Sequence, residues 1–151
     1  MCFELTAMLK PVYRAFQLLH NCGNERFDVK HEDRSTVEVL ATGNNKTLNA
    51  IIYNHNVPLA PIKSELVRIR IKGLKYISSS MLEQIDDTHT NAKNEWIKMG
   101  KPVYLGQNEI TTLMKASELV AIPLYYKQDK DTFIFDISIP PQGIASIRIE
   151  Y

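Results

Sequence analysis

Residues 133–151 read FIFDISIPPQGIASIRIEY, and this closing stretch gives the clearest indication of the fold. Before the central Pro-Pro-Gln-Gly, apolar residues alternate with polar ones such as Asp136 and Ser138, and after it they alternate with residues such as Arg148. A period of two is typical of β-strands with one buried face. Proline and glycine favour a turn. The stretch therefore predicts two strands joined by a short connection over residues 140–143.

Similar alternation occurs at several places upstream. Residues 37–41 and 48–53 lie on either side of an Asn-Asn turn signal and predict a β-hairpin. Both faces of residues 48–53 are largely apolar, which indicates a central strand. Residues 67–72 and 74–85 predict two more strands. Six or more strands at this spacing predict an antiparallel β-sandwich, because short connections join antiparallel neighbours.

Three segments have helical spacing instead. In residues 10–22, Pro11 suits the first position of a helix. Gly23 follows this segment and suits a helix stop. Residues 91–99 and about 108–119 predict two shorter helices between strands. The sequence thus predicts a mainly β fold with an N-terminal helix and a two-helix insertion. The apolar stripe predicted on the first helix consists of Val12, Ala15, Phe16, Leu19 and Cys22.

Composition narrows the class of protein. A chain of 151 residues fits one domain with a real core, and a formal net charge of +1 gives no general attraction to nucleic acid or membranes. No apolar run has the length of a membrane span, and the N-terminus has no signal-peptide pattern. Cys2 and Cys22 do not make a disulfide framework. We therefore expect free thiols and a cytoplasmic protein.

The segment 85–102 holds the single tryptophan of the chain and resembles a pattern of family 39 glycoside hydrolases, the β-xylosidases and their relatives. In the sandwich domain that follows the barrel of that family, a strand ends in Ile-Asp and leads into His-x-Asn, Trp and Gly-x-Pro. Residues 10–19 are similar to the helix that ends the barrel, and residues 133–151 to the last two strands. In the segment 85–102, the residues that match the Ile-Asp, His-x-Asn, Trp and Gly-x-Pro pattern are Ile85, Asp86, His89, Asn91, Trp96, Gly100 and Pro102.

The resemblance implies a division of the chain into residues 1–24, the terminal helix of a preceding (β/α) barrel, and residues 25–151, an accessory β-sandwich. It implies that the two catalytic glutamates lie on barrel strands upstream, so no catalytic residue is assigned here. The expected partners are that barrel and, as a further option, other copies of the chain. No cofactor, metal, membrane or nucleic-acid contact is expected. The helix should expose an apolar patch that includes some of Tyr13, Phe16 and Leu18, or bury that patch by self-association.

Several residues have both a structural and a functional interpretation. Asp86 and His89 could bind a metal or act as an acid–base pair, but hydrogen bonding within a turn is the simpler interpretation. Asn54 and His55 end a strand before a proline-rich loop and could contact sugar hydroxyls or simply form the turn. Asn108-Glu109 matches an acid/base dipeptide of such hydrolases, yet helix capping explains it better. The basic run Arg68, Arg70 and Lys72 fits one solvent-exposed strand face.

Two other functions remain open from the sequence. Some AraC-type transcription regulators resemble a fusion of a helix-turn-helix pair with a family 39-like module, in which case this domain would sense sugars or bind partners. An independent carbohydrate-binding module is the third option. Such modules usually expose aromatic residues for stacking on sugars, whereas Trp96 lies within an amphipathic helix and is predicted to fill the core.

Overall fold

The computed structural model describes residues 10–31, 35–57 and 59–151. Cys2, the first part of segment 1–24 and residue 58 lie outside these ranges. Three helices and nine strands follow in chain order within the described residues. They are α1 (Pro11–His20), β1 (Glu25–Phe27), β2 (Val37–Gly43), β3 (Thr47–Asn54), β4 (Glu65–Lys72), β5 (Ser79–Ile85), α2 (Ala92–Lys98), α3 (Gln107–Ala116), β6 (Ile122–Pro123), β7 (Lys127–Asp129), β8 (Thr132–Ile139) and β9 (Ile144–Glu150).

The strands form two antiparallel sheets that enclose one core. The larger sheet has the order β1-β2-β3-β9-β5-β6, and the smaller sheet has the order β4-β8-β7. Neither sheet closes into a barrel, so the predicted β-sandwich is confirmed. β3 lies between two long strands of the larger sheet, as its two apolar faces predicted.

Strand pairing follows the prediction in one place and departs from it in another. β2 and β3 form the expected hairpin, whose turn is held by the side-chain oxygen of Asn44, an acceptor from the backbone of Lys46 and Thr47 at 3.1 Å each. β8 and β9 are not neighbours: β8 pairs with β4 and β7, whereas β9 pairs with β3 and β5. Residues 140–143 therefore carry the chain from one sheet to the other. Alternation identifies the buried face of a strand but not its partner, so the expectation that a short connection joins antiparallel neighbours is wrong for this pair.

The core lies between the sheets and is built from the inward residues of both. Phe133, Phe135 and Ile139 on β8 face Ile147 and Ile149 on β9, and each is at most 1% exposed. The ring of Tyr126 packs at 5.4 Å from Phe133 and 5.6 Å from Phe135. Large side chains at the centre make this cluster the main apolar contribution to stability.

The helix α1 packs on the outer face of the larger sheet. Leu18 is 2% exposed and forms a second small cluster with Ile51 and Ile85, joined by Ala15 and Cys22. The helix ends at His20 with Asn21 as its C-cap, before Gly23. Gly23 is needed for another reason than a helix stop, since a Cβ there would lie 2.1 Å from the carbonyl oxygen of Gly43.

The insertion between β5 and β6 contains α2 and α3. Asn91 is the N-cap of α2 and accepts from the backbone of Asn94 at 3.3 Å, while Gly100 at φ +84° follows the helix as predicted. The N-cap of α3 is Gly106, not the expected Asn108. Glu109 does lie in the first turn of α3, where a negative charge favours the helix dipole.

Candidate functional site

The Asp86 carboxylate organises the turn that follows β5. Its Oδ1 accepts hydrogen bonds from the backbone N–H groups of Thr88 at 2.7 Å and His89 at 2.8 Å. The ring Nδ1 of His89 lies 2.9 Å from both carboxylate oxygens. The structure thus brings Asp86 and His89 together, and their side chains are hydrogen-bonded to each other within the turn.

The pH dependence of this turn follows from the Asp86 carboxyl. Burial raises its pKa, but the hydrogen bonds from Thr88 and His89 outweigh burial, so the pKa is lower in the folded chain. A lowered folded pKa stabilises the fold above the unfolded pKa, and that stabilisation is lost as pH falls through the folded value.

We expect Asp86→Ala to lower the free energy of unfolding at neutral pH by about 1–3 kcal/mol, because several backbone donors lose their acceptor. The difference between wild type and variant should begin to shrink as pH falls below about 4, near the pKa of an unfolded aspartate, and should be lost below the lower folded pKa, where the folded carboxylate is protonated too. Urea unfolding at a series of pH values measures this difference. Asp28→Ala, at an exposed position, is the matched control. A difference that does not change with pH would contradict this role of the carboxylate.

Thr90 has a strained backbone beside this turn. It is 6% exposed and adopts φ +57°, a value that β-branched residues rarely take. Its hydroxyl donates to the carbonyl oxygens of Gln84 at 2.7 Å and Glu118 at 3.2 Å, so it links β5 to the end of α3. Sequence reasoning missed Thr90, because neither its conformation nor its distant partner leaves a local pattern.

Trp96 closes the other end of the insertion. Its Nε1 donates to the carbonyl oxygen of Pro102 at 3.1 Å, and the backbone N–H of Lys101 donates to the Trp96 carbonyl at 3.1 Å. Gly100 supplies the left-handed turn between them. Trp96 is half-buried and lies outside the two buried clusters, so it holds the insertion together and does not fill the sandwich core.

A cleft of about 340 Å³ lies between the β5–β6 edge and the two inserted helices. We call it the side cleft. Leu82, Val120 and Ile122 provide its apolar lining. Its polar lining comes from the Asp86–Asn91 turn, from α2 and from the end of α3, and includes Gln84, Asn94 and Lys115. The side cleft brings together residues that are far apart in sequence.

Asn54 and His55 occupy different environments. Asn54 is 0% exposed, and its side chain accepts from the Thr36 hydroxyl at 2.6 Å and donates to the carbonyls of Lys63 at 2.7 Å and Ile139 at 3.1 Å. A ligand in solution cannot reach a fully buried side chain. In the structure the Asn54 amide therefore has a structural role, as a hydrogen-bonding partner of the surrounding chain. His55 is exposed, with Nδ1 at 3.2 Å from the Gln142 side-chain oxygen, and contact with a ligand stays a prediction for it.

The outer face of α1 is apolar and exposed. Val12, Tyr13, Phe16 and Leu19 are between 45% and 66% exposed. The predicted exposed patch includes Tyr13 and Phe16, whereas Leu18 packs on the larger sheet. Most of the predicted stripe therefore points away from the sandwich.

Across residues 10–31, 35–57 and 59–151, the His, Cys, Asp and Glu side chains form no group of three or more that could hold a metal ion. No helix in the same ranges is long and apolar enough to cross a membrane. Within this part of the chain, Cys22 has a free thiol.

The same fold occurs in solved structures of glycoside hydrolases. The GH39 enzyme from Xanthomonas axonopodis pv. citri superposes with a TM-score of 0.73 at 13% identity, over 95% of this chain and 30% of that one. A monomeric β-xylosidase from Caulobacter crescentus CB15 superposes with a TM-score of 0.73 at 17% identity, over 97% of this chain and 31% of that one. At these identities the likeness shows the fold.

Sequence comparison establishes the family. The model of glycosyl hydrolases family 39 matches residues 2–126, and the chain belongs to that family. A β-xylosidase from Caldicellulosiruptor saccharolyticus is 36% identical over 143 residues, which cover 93% of this chain. The chain spans about 29% of the length of that relative. The resemblance drawn from segment 85–102 is thereby confirmed.

Proposed function

We propose that this chain is the accessory β-sandwich of a family 39 glycoside hydrolase and that it braces a preceding (β/α) barrel. The observation that carries the proposal is the exposed apolar face of α1. Residues 1–24 would belong with the barrel, and residues 25–151 would form the accessory domain. A catalytic role for the described carboxylates is not part of this proposal.

The packing of α1 supports a bridging role. One face of the helix is fixed to the sandwich by Leu18 and by Arg14, whose Nε donates to the Ser117 carbonyl at 2.9 Å. The opposite face leaves Phe16 66% exposed and Val12 59% exposed. A helix with apolar side chains on both faces is typical of an element between two packed bodies. The relatives are about three times as long as this chain, so the second body would be the (β/α) barrel in the remainder of the protein.

The activity proposed for the whole protein is hydrolysis of β-xylosides or related glycosides. It rests on family membership and on the relative named a β-xylosidase. Two carboxylates on barrel strands would carry out the reaction, as in other glycosidases. Cleavage of an aryl xyloside by the 151-residue chain alone, at a rate that depends on its own carboxylates, would contradict this assignment.

The first experiment is to read the coding sequence upstream of Met1. A barrel of roughly 300 residues with two strand-end glutamates supports a glycosidase. A barrel without these glutamates, joined to a helix-turn-helix region, would contradict the proposal and indicate that the protein is a transcription regulator. The family comparison favours the glycosidase, and no described feature of the chain favours the regulator.

The bracing role predicts the effect of one substitution on α1. If the upstream barrel is produced separately and mixed with this chain, Phe16→Asp should weaken their association at least about thirtyfold, because it places a charge in an apolar contact. Tyr76→Asp is the matched control, at a 63% exposed aromatic outside α1. Calorimetric titration gives both affinities. Equal affinities for the two variants would show that the barrel binds elsewhere.

The same face bears on self-association. With no barrel present, an exposed apolar patch favours contact between copies of the chain. Sedimentation velocity at rising concentration should show dimers for the wild-type chain and monomers for Phe16→Asp. Monomers for both would remove homo-oligomerisation through α1 from the proposal.

A further inference from the structure

The side cleft is a concave surface that neither the bracing role nor the barrel chemistry uses. Its volume of about 340 Å³ lies within the usual range for small-molecule sites. It opens between the β5–β6 edge and helices α2 and α3, and its lining contains no residue of α1. Docking through α1 therefore does not draw on the residues that line the cleft.

The lining combines the two surfaces that a sugar presents. Leu82, Val120 and Ile122 offer apolar contact for the C–H face of a ring. Gln84 and Asn94 contribute amide groups, which both donate and accept hydrogen bonds, as sugar hydroxyls do. The Nδ2 of Asn94 already donates to Asp87 at 2.7 Å, which fixes the plane of that amide.

Charge on the lining selects against strongly charged ligands. The ammonium groups of Lys98 and Lys115 are offset by the carboxylates of Asp87, Glu95 and Glu118. Lys98 is paired with Glu95 at 3.2 Å, which removes one charge of each sign. A phosphate or polyanion would meet more carboxylates than ammonium groups, so a neutral ligand fits better.

One residue of the cleft lining has a strained backbone. Thr90 lines the cleft in a left-handed conformation that costs energy for a β-branched residue, and its two hydrogen bonds hold it there. Such positions cluster at ligand sites, where the surrounding structure fixes a conformation that the chain would otherwise avoid.

We propose that the side cleft is a secondary binding site for a neutral sugar of one or two rings, held over an apolar wall by the amides of Gln84 and Asn94 and by the ammonium group of Lys115, which donates to a hydroxyl. The lining has no aromatic side chain for stacking, so the dissociation constant should be on the order of 1 mM. The site would hold a sugar unit apart from the point of hydrolysis. It rests on the chain's own residues and does not require a barrel.

Titration of the isotope-labelled chain with xylobiose, followed by amide chemical shifts, tests the proposal. Saturable shifts should map to Thr90, Asn94 and Lys115. Gln84→Ala and Lys115→Ala should each weaken binding about three- to tenfold, the effect of one lost hydrogen bond. Lys115 is exposed, so its variant keeps the test valid if Gln84→Ala disturbs the fold.

Two controls separate this site from other surfaces. Gln128→Ala removes the same side chain from the exposed strand β7 and should leave the affinity unchanged. Phe16→Asp should also bind xylobiose normally, so a failure of the bracing role and a failure of the sugar site give different results. No saturation at high millimolar xylobiose, or shifts that cluster outside the cleft, would overturn the proposal.

Discussion

Replacing Phe135 with alanine should lower the free energy of unfolding by about 3–5 kcal/mol, the usual cost of truncating a fully buried aromatic side chain. Phe135 is 0% exposed at the centre of β8 and touches the ring of Tyr126 at a centroid distance of 5.6 Å. The loss combines apolar burial, the ring contact and a cavity between the two sheets. Because a domain of this size has only a modest net stability, much of the variant should be unfolded near 37 °C.

Phe16→Ala is the matched control for this experiment. It removes the same side chain from a position that is 66% exposed in the single chain, so at concentrations too low for self-association the free energy of unfolding should change by less than about 0.5 kcal/mol. Denaturant unfolding followed by circular dichroism measures both variants. Similar losses for Phe16 and Phe135 would mean that α1 is covered in the free chain, or that the core is placed incorrectly.

Replacing Asn54 with leucine should also be severe, at about 3–5 kcal/mol. Leucine has a similar volume, so the effect comes from polar groups and not from a cavity. The Asn54 amide joins the end of β3 to the carbonyl of Ile139 at the end of β8 and to that of Lys63 in the loop between β3 and β4. Without the amide, these carbonyls and the Thr36 hydroxyl lose a partner inside the protein.

Asn45→Leu provides the comparison for Asn54. Asn45 lies in the exposed turn between β2 and β3, so its replacement should change stability by less than about 0.5 kcal/mol. Thermal unfolding of the two variants under identical conditions gives the difference. A mild effect at Asn54 would show that water or rearranged backbone can replace the amide, and that the link between the sheets is not essential.

The segment 85–102 shows which features of the candidate site could be predicted from local sequence. The cap at Asn91 and the left-handed turn at Gly100 are local features, and both occur where their residue types predicted them. The hydrogen bonds of Asp86 also stay within a few residues. The side cleft was not predicted, because Leu82, Asn94 and Lys115 meet only after the insertion folds back onto β5 and β6.

The helix α1 shows the same division within one element. Its existence and approximate bounds followed from spacing and from Pro11. The sequence did not predict which face of the helix packs on the sheet, because apolar side chains extend around much of the helix. In the structure Leu18 packs on the sheet and Phe16 stays exposed. The choice depends on the shape of the outer sheet surface, which is formed by residues such as Ile51 and Ile85.

By itself the sequence determined the fold class, the family and the approximate positions of the six long strands, because a period of two and local turn residues act over a few positions. The short strands β1, β6 and β7 were not predicted, since two or three residues are too few to show a period. Tertiary structure alone decided that β8 and β9 lie in opposite sheets, that Asn54 is enclosed, and that the insertion forms a cleft. These outcomes depend on contacts between distant segments. The free energy of such contacts comes from burying surfaces together, and no single segment encodes its partner.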